Sequence, residues 1–172
     1  MATAVIATIG EDRPGLVNEL SQLVLETGLN IEDSRMSVLG GEFAVLMSVA
    51  GAGADLTALE ARIGGHAQTS GLMHLFRRTS ERVERAARSL HVRVEAVDHP
   101  GIVHGIAGFF SERGINIREL ETETQHAAHT GAPVFNVQML VELPEDQSGP
   151  ALTEAFETFC DTENLDGSIS KD

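Results

Sequence analysis

One short group of polar residues and glycines occurs twice in this chain. Each copy has an Asp-x-Pro-Gly turn and, 16 residues further on, a Gly-x-Asn-Ile segment. The two turns begin at Asp12 and Asp98, an offset of 86 residues, and the two asparagines are Asn30 and Asn116. An aspartate accepts hydrogen bonds from an ammonium group, and an asparagine both donates and accepts them. If a helix starts after the turn, its N-terminal N–H groups favour a carboxylate. The residue types therefore suit a small molecule that carries both charges.

The candidate binding residues are the members of the two motifs that a ligand could touch. They are Asp12, Arg13, Gly15 and Asn30 in the first copy, and Asp98, His99, Gly101 and Asn116 in the second. The glycines remove side-chain bulk, so a ligand could approach the backbone. Each residue also has a purely structural explanation. Asp12 could cap the helix, Gly15 could permit close helix packing, and Asn30 could bond only to its own loop.

The elements around each motif follow the same order. A β-prone stretch at 2–9 precedes Pro14, which we expect to open a helix because its missing N–H costs nothing there. Apolar residues then recur at helical spacing and predict one buried face: Leu16, Val17, Leu20, Leu23 and Val24, repeated as Ile102, Val103, Ile106, Phe109 and Phe110. Gly28 and Gly114 are placed to end these helices, since glycine reaches the left-handed conformation without penalty.

Two strands, a second helix and a last strand complete each half. We expect strands at 30–38 and 42–49, joined by a Gly40-Gly41 turn, and at 116–125 and 134–143. Phe135 matches Phe43 at an offset of 92, so 6 additional residues fall in the connection 125–133. Helices begin near Asp55 and Pro150, and strands at 72–78 and 167–171 follow. This order predicts an α+β protein of two tandem ferredoxin-like βαββαβ domains, each an antiparallel sheet with both helices on one face.

The predicted domains span 1–80 and 90–172, with an arginine-rich linker at 81–89. A domain of about 80 residues buries a limited fraction of its surface, and a wholly apolar sheet face needs a cover. We therefore expect a homodimer.

Composition and charge argue against several classes of protein. The chain has 26 acidic and 12 basic residues, a net charge of −14. Phosphate backbones repel such a chain, so we expect no direct binding to nucleic acid. No run of about 18 apolar residues exists, so we expect no membrane partner. The N-terminus lacks the basic region of a signal peptide and Cys160 is the single cysteine, which together favour the cytoplasm.

Other groups of residues have simpler explanations than a site. Five arginines near the join fit a solvated linker helix or a partner-docking patch: Arg77, Arg78, Arg82, Arg85 and Arg88. The histidines, including His126 and His129, lack the spacing of converging metal ligands. Cys160 lies on an apolar helix face, as a buried, inert thiol would. No nucleophile or phosphate-binding motif is present, so we expect no enzyme activity and no cofactor.

The doubled motif on a doubled βαββαβ pattern resembles the ACT domain, a small regulatory module that often binds amino acids. The fit covers both halves. The stretch 30–43 and the ending 167–170 are also similar to the family of glycine cleavage system transcriptional repressors, which consist of two ACT domains and little else. That resemblance implies a regulator that contacts a DNA-bound transcriptional activator in response to glycine and does not bind DNA itself.

The resemblance implies that the candidate residues bind glycine or a serine-like amino acid. The site would lie between two ACT units, within one chain or across a dimer. The first hypothesis is therefore a non-catalytic, amino-acid-responsive regulator that acts through a protein partner in transcriptional control. An alternative is a ligand-independent ACT interaction module, and a third is a metal enzyme that uses the histidines of the second half. Substitution of Asn30 and Asp12 abolishes a ligand response only under the first hypothesis.

Overall fold

Each half of the chain has the element order βαββαβ in the computed structural model, which describes residues 2–80, 87–126 and 133–171. The chain divides into unit 1, Met1–Val83, and unit 2, Glu84–Asp172. The elements of unit 1 are β1 (Ala2–Glu11), α1 (Leu16–Leu25), β2 (Asn30–Leu39), β3 (Glu42–Gly51), α2 (Gly53–Ser70) and β4 (Met73–Thr79). Those of unit 2 are β5 (Ala87–Val97), α3 (Ile102–Glu112), β6 (Asn116–His126), β7 (Pro133–Pro144), α4 (Gly149–Glu163) and β8 (Asp166–Lys171).

Each unit has one antiparallel sheet of four strands, in the order β2-β3-β1-β4 in unit 1 and β6-β7-β5-β8 in unit 2. Alternate residues of the central strands are buried, as in Ala4 and Ile6 of β1. These residues form one core with the buried faces of the helices in the same unit. The predicted α+β class and the tandem ferredoxin-like plan are therefore confirmed.

The two cores differ in their side chains. The core of unit 1 consists mainly of aliphatic residues such as Leu56 and Leu59, with Phe43 from β3. In unit 2 the helices contribute a cluster of aromatic rings with centroids 5.1–6.1 Å apart: Phe109, Phe110, Phe156 and Phe159. Such pairs add about 0.5–1.5 kcal/mol each beyond their buried area.

The start of the first helix differs from the prediction. α1 begins at Leu16, and its N-cap is Gly15 with φ of 94°, so Pro14 lies in the preceding turn and does not open the helix. The buried residues of α1 are Leu16, Leu20 and Val24, which recur every four residues and face the sheet. Val17, predicted to be buried with them, is 54% exposed, because it lies beside this stripe.

The connection between the units contains more strand than predicted. β4 pairs with β1 as far as Thr79, and β5 pairs with β7 from Ala87. Residues 87–89, assigned above to the linker, thus lie in β5, and the domain limits stay a prediction. Arg77, Arg78 and Arg88 lie on strands, so the linker-helix interpretation is wrong for these three. Arg82 and Arg85 lie outside the described residues.

The connection between β6 and β7 is longer than that between β2 and β3. The two strands pair up to His126 and Pro133, and residues 127–132, with His129, lie outside the described residues. The matching turn in unit 1 is formed by Gly40 and Gly41, with φ of 61° and 88°. Positive φ at both positions is what a two-residue hairpin turn requires, so this predicted turn is confirmed. Among the helices of the described residues, none is long and apolar enough to span a membrane.

Candidate functional site

The Asp-x-Pro-Gly turn lies between the end of a central strand and the start of a helix in both units. Gly15 and Gly101 are the N-caps of α1 and α3, with φ of 94° and 103°. These positive φ values favour glycine, because any other residue with this backbone conformation is strained by its Cβ atom. A Cβ atom built on either glycine meets nothing within 4 Å, so close helix packing does not explain either one.

The helix N-termini behind these glycines lack a side-chain cap. No side chain of the described residues accepts a hydrogen bond from the first turn of α1 or α3, so capping by Asp12 is not observed. The backbone N–H of Asp12 donates to the Gly41 carbonyl at 3.1 Å, which joins the turn to the β2–β3 hairpin. The uncapped N–H groups of a helix carry a partial positive charge that suits an anion.

The turn of unit 1 borders an open depression of about 540 Å³. Asp12, Arg13 and Gly15 line it, and so does Val17 of α1. Three predicted site residues are thus brought together. The remaining lining residues come from α1, β2 and β3: Leu16, Asn18, Ser21, Met36 and Phe43. The depression thus combines an apolar floor with charged groups at its rim.

The two asparagines lie away from the turns of their own units. In the sheet, Asn30 of β2 pairs with Ala50 of β3, which pairs with Thr3 of β1. Asn30 therefore lies at the end of the sheet opposite Asp12. At 3.3 Å per strand residue, Asn30 and Asp12 are roughly 25–30 Å apart. The Asn30 amide donates to Glu32 Oε1 at 3.0 Å, and that of Asn116 to Glu142 Oε2 at 2.8 Å. Neither asparagine therefore completes the site in its own unit.

The turn of unit 2 repeats the geometry with a different second residue. The backbone N–H of Asp98 donates to the Pro133 carbonyl at 3.3 Å. His99, which replaces Arg13, has its Nδ1 3.1 Å from the carbonyl oxygen of Pro100. This side chain therefore bonds within its own turn, whereas Arg13 extends to α1.

Arg13 belongs to a chain of polar side chains that the sequence analysis missed. Arg13 Nη2 donates to Glu19 Oε2 at 2.6 Å, and Glu19 Oε1 lies 2.5 Å from His66 Nε2. His66 Nδ1 lies 3.0 Å from His74 Nε2, and His74 Nδ1 lies 2.7 Å from Thr8 Oγ1. Hydrogen bonds from His66 and then Arg13 lower the pKa of Glu19. Burial lowers the pKa of His74, helped by the nearby His66.

A sequence signal for this chain of residues was present. Leu56, Leu59, Ile63 and His66 follow one helical stripe, with steps of three and four residues. His74 of β4 alternates in the same way with Leu72, just before the strand, and with Phe76 within it. A histidine on each buried face predicts a polar contact across the core, because buried polar groups are hydrogen-bonded.

Within the described residues, Cys160 and the remaining histidines and carboxylates form no second candidate site. Burial raises the pKa of the Cys160 thiol to about 11, and Asp161 adds to the effect, so the buried thiol is inert at neutral pH. Within the described ranges, no group of three or more His, Cys, Asp or Glu residues could hold a metal ion. His129 and the side chain of His126 are outside that search.

Comparison with known proteins assigns both halves of the chain to one family. Sequence profiles of the ACT domain match residues 2–77 and 91–161. The chain is 31% identical over 167 residues to the glycine cleavage system transcriptional repressor of Escherichia coli K12, covering 96% of this chain and 88% of that protein.

Two solved structures are similar over 99% of this chain and 98% of their own chains. One is described as a candidate glycine cleavage system transcriptional repressor, with a TM-score of 0.77 and 28% identity. The other is a protein of unknown function from Galdieria sulphuraria, with a TM-score of 0.80 and 27% identity. The chain is thus a regulatory protein of the ACT-domain family, with one ACT domain in each half, and resembles the glycine cleavage system transcriptional repressors over nearly its whole length.

Proposed function

We propose that this chain is a non-catalytic sensor of a small amino acid, glycine or one like serine, that controls transcription through a protein partner. The observation that carries the proposal is the uncapped N-terminus of α1 beside Asp12 and Arg13 at an open depression. A free amino acid presents a carboxylate to the helix N–H groups and Arg13, and an ammonium to Asp12. Such a ligand is small enough for about 540 Å³.

The partner in this proposal is a DNA-bound transcriptional activator. A net charge of −14 opposes direct contact with DNA. The protein therefore acts on transcription by binding a protein that is already bound to DNA. The similar repressor from Escherichia coli is named for transcriptional control of the glycine cleavage system. Glycine is therefore the first ligand to test.

The proposed working form is a homodimer. Asn30 lies at the far end of β2 from Asp12 in unit 1, so an asparagine that completes the site has to come from elsewhere. A second copy of the chain supplies one. Asp98, His99, Gly101 and Asn116 form the proposed second site, in which His99 in place of Arg13 offers a weaker hold on a carboxylate.

Thermal melting against the common amino acids, with glycine and serine among them, tests this function. A ligand that binds only the folded state raises the melting temperature once its concentration exceeds Kd. We expect a selective rise that is lost in Asp12→Ala and Asn30→Ala. Asp98→Ala reports on unit 2, and Asp146→Ala, an exposed carboxylate outside the motifs, serves as the matched control.

The competing function is a ligand-independent ACT interaction module. The hydrogen bonds of Asn30 and Asn116 to carboxylates of their own unit favour it, because these amides are engaged without a ligand. No melting shift with any amino acid at millimolar concentration would contradict the sensor and leave this second function.

A further inference from the structure

The chain of polar side chains in unit 1 runs from the core to the proposed ligand-binding turn. Within the described residues, Thr8 is the only polar residue that is buried, at 2% exposure. His74 on β4 and His66 on α2 join it to Glu19 on α1, and Glu19 holds Arg13. We name these five residues the Thr8–Arg13 relay. Four elements of unit 1 and the ligand-binding turn are thereby joined by side-chain hydrogen bonds.

The proton positions in the relay follow from its two ends. Glu19 is ionised, since two donors hold its carboxylate, so His66 must donate from Nε2. A neutral His66 then accepts at Nδ1 from His74 Nε2, and His74 accepts at Nδ1 from the Thr8 hydroxyl. Every donor in this state has an acceptor, with both histidines neutral.

The relay has room for one more proton. A hydroxyl both donates and accepts, so Thr8 can turn to accept from His74 Nδ1 if that atom is protonated. A second added proton would place N–H against N–H between His74 Nε2 and His66 Nδ1, which lie 3.0 Å apart. The pair of histidines can therefore gain a single proton without losing a hydrogen bond.

Unit 2 shows that the fold does not require this relay. Val94 and Gly167 are paired across β5 and β8 as Thr8 and His74 are across β1 and β4. Gly105 takes the place of Glu19, and its N–H donates to Gly101 as that of Glu19 does to Gly15. A Cβ atom on Gly167 would lie 2.4 Å from Cys160 Sγ and 3.0 Å from the Phe156 ring, so apolar side chains fill that space.

From these observations we infer that His66 and His74 are positioning residues for Arg13, and that the pair takes up one proton when Arg13 leaves Glu19 for the carboxylate of a ligand. The inference rests on the proposed function, because it needs an anionic ligand at the turn. Arg13 lies 2.6 Å from Glu19 and offsets its charge. When that cation moves away, the carboxylate favours a cation on the histidine pair instead.

The residues beside the pair are a bound cation and apolar side chains. Arg62, one turn before His66 on α2, is bound by Glu26 at the C-cap of α1. The apolar Leu72 and Phe76 lie two residues before and two residues after His74. Burial lowers the pKa of His74, so His74 is neutral at physiological pH and able to gain the proton. Ligand affinity must then rise as pH falls, by at most about tenfold per pH unit for one proton.

The first test needs no ligand. Arg13→Gln imitates the departure of the cation, and NMR of the histidine rings in the full chain follows the protonation of His74. We expect the midpoint of its pH titration to rise in Arg13→Gln. Arg62→Gln is the matched control, because it removes another exposed arginine of unit 1, one that is held by Glu26 and not by Glu19. An unchanged midpoint in Arg13→Gln would overturn the inference.

The second test uses glycine as the probe. Calorimetry in two buffers of different ionisation heat counts the protons taken up on binding, and we expect a net uptake that is absent in His74→Phe. Binding of glycine to the natural chain without proton uptake would overturn the inference. If glycine does not bind at all, the glycine sensor is contradicted, and the Arg13→Gln titration still decides whether the relay responds to Arg13.

Discussion

At the scale of single residues, His74 makes the stability of unit 1 depend on pH. Burial lowers its pKa below the ordinary value of 6.5, whereas the unfolded chain keeps that value. As pH falls through about 6.5, the unfolded state binds more protons than the folded state, so stability is lost. The pKa of Glu19 is also lowered, from 4.5, so a second loss follows at more acidic pH.

We therefore expect the melting temperature to fall between about pH 7.5 and pH 5.5, and this fall to be smaller in His74→Gln. Calorimetric melting at several pH values measures it. His104→Gln, which removes an exposed histidine of α3, is the matched control. Equal slopes in the natural chain and His74→Gln would show that His74 does not titrate differently in the folded state.

At the scale of elements, two glycines with equally open surroundings have opposite effects on stability. Gly15 has a positive φ and open space around it, whereas Gly64 lies inside α2, also with nothing within 4 Å of a built Cβ. The first is needed for its conformation, and the second only weakens a helix. The space around the Cβ position therefore does not distinguish the two glycines, whereas the sign of φ does.

Gly15→Ala should lower the free energy of unfolding by roughly 1–2 kcal/mol, because the left-handed region disfavours a Cβ. Gly64→Ala should raise it by roughly 0.5–1 kcal/mol, because alanine stabilises a helix interior. Denaturant titration of both variants measures the difference. Two changes of the same sign would contradict the left-handed N-cap as the reason for Gly15.

The elements also show how far the sequence could be interpreted. The 86-residue repeat predicts both sheets, because identical motifs at one offset require the same strand and helix order twice. The start of α1 was misplaced, because Pro14 is compatible with the first helical position and the left-handed Gly15 has no sequence signature of its own. The relay was missed because its contacts join elements far apart in sequence, as between Glu19 and His66.

At the scale of the whole molecule, the outer faces of the two sheets differ. On unit 1, the face away from the helices carries large apolar side chains that are exposed by 41–67%: Ile9, Leu46, Met73 and Leu75. Leu46, Ala7 and Leu75 form one row across β3, β1 and β4. The matching row on unit 2 is Gln138, Arg93 and Ser168. An apolar patch on one of two alike sheets indicates a surface that is covered in the working form.

A second copy of the same face suits this surface. A two-fold axis through the row of Leu46, Ala7 and Leu75 packs this row against the same row of a second copy, so each copy covers the apolar patch of the other. The matching row of unit 2, Gln138, Arg93 and Ser168, is polar and offers no comparable match for apolar side chains.

We expect Leu75→Glu to weaken the homodimer by about a hundredfold or more. Burial of one leucine contributes about 1.5–3 kcal/mol, and a symmetric interface contains two, while each 1.4 kcal/mol changes Kd about tenfold. Ser168→Glu adds the same charge at the matching position of unit 2 and should leave the dimer intact. Sedimentation velocity over a range of concentrations distinguishes the variants. If Leu75→Glu sediments as the natural dimer does, the outer face of unit 1 is not the interface, and a natural chain that stays monomeric would contradict the homodimer itself.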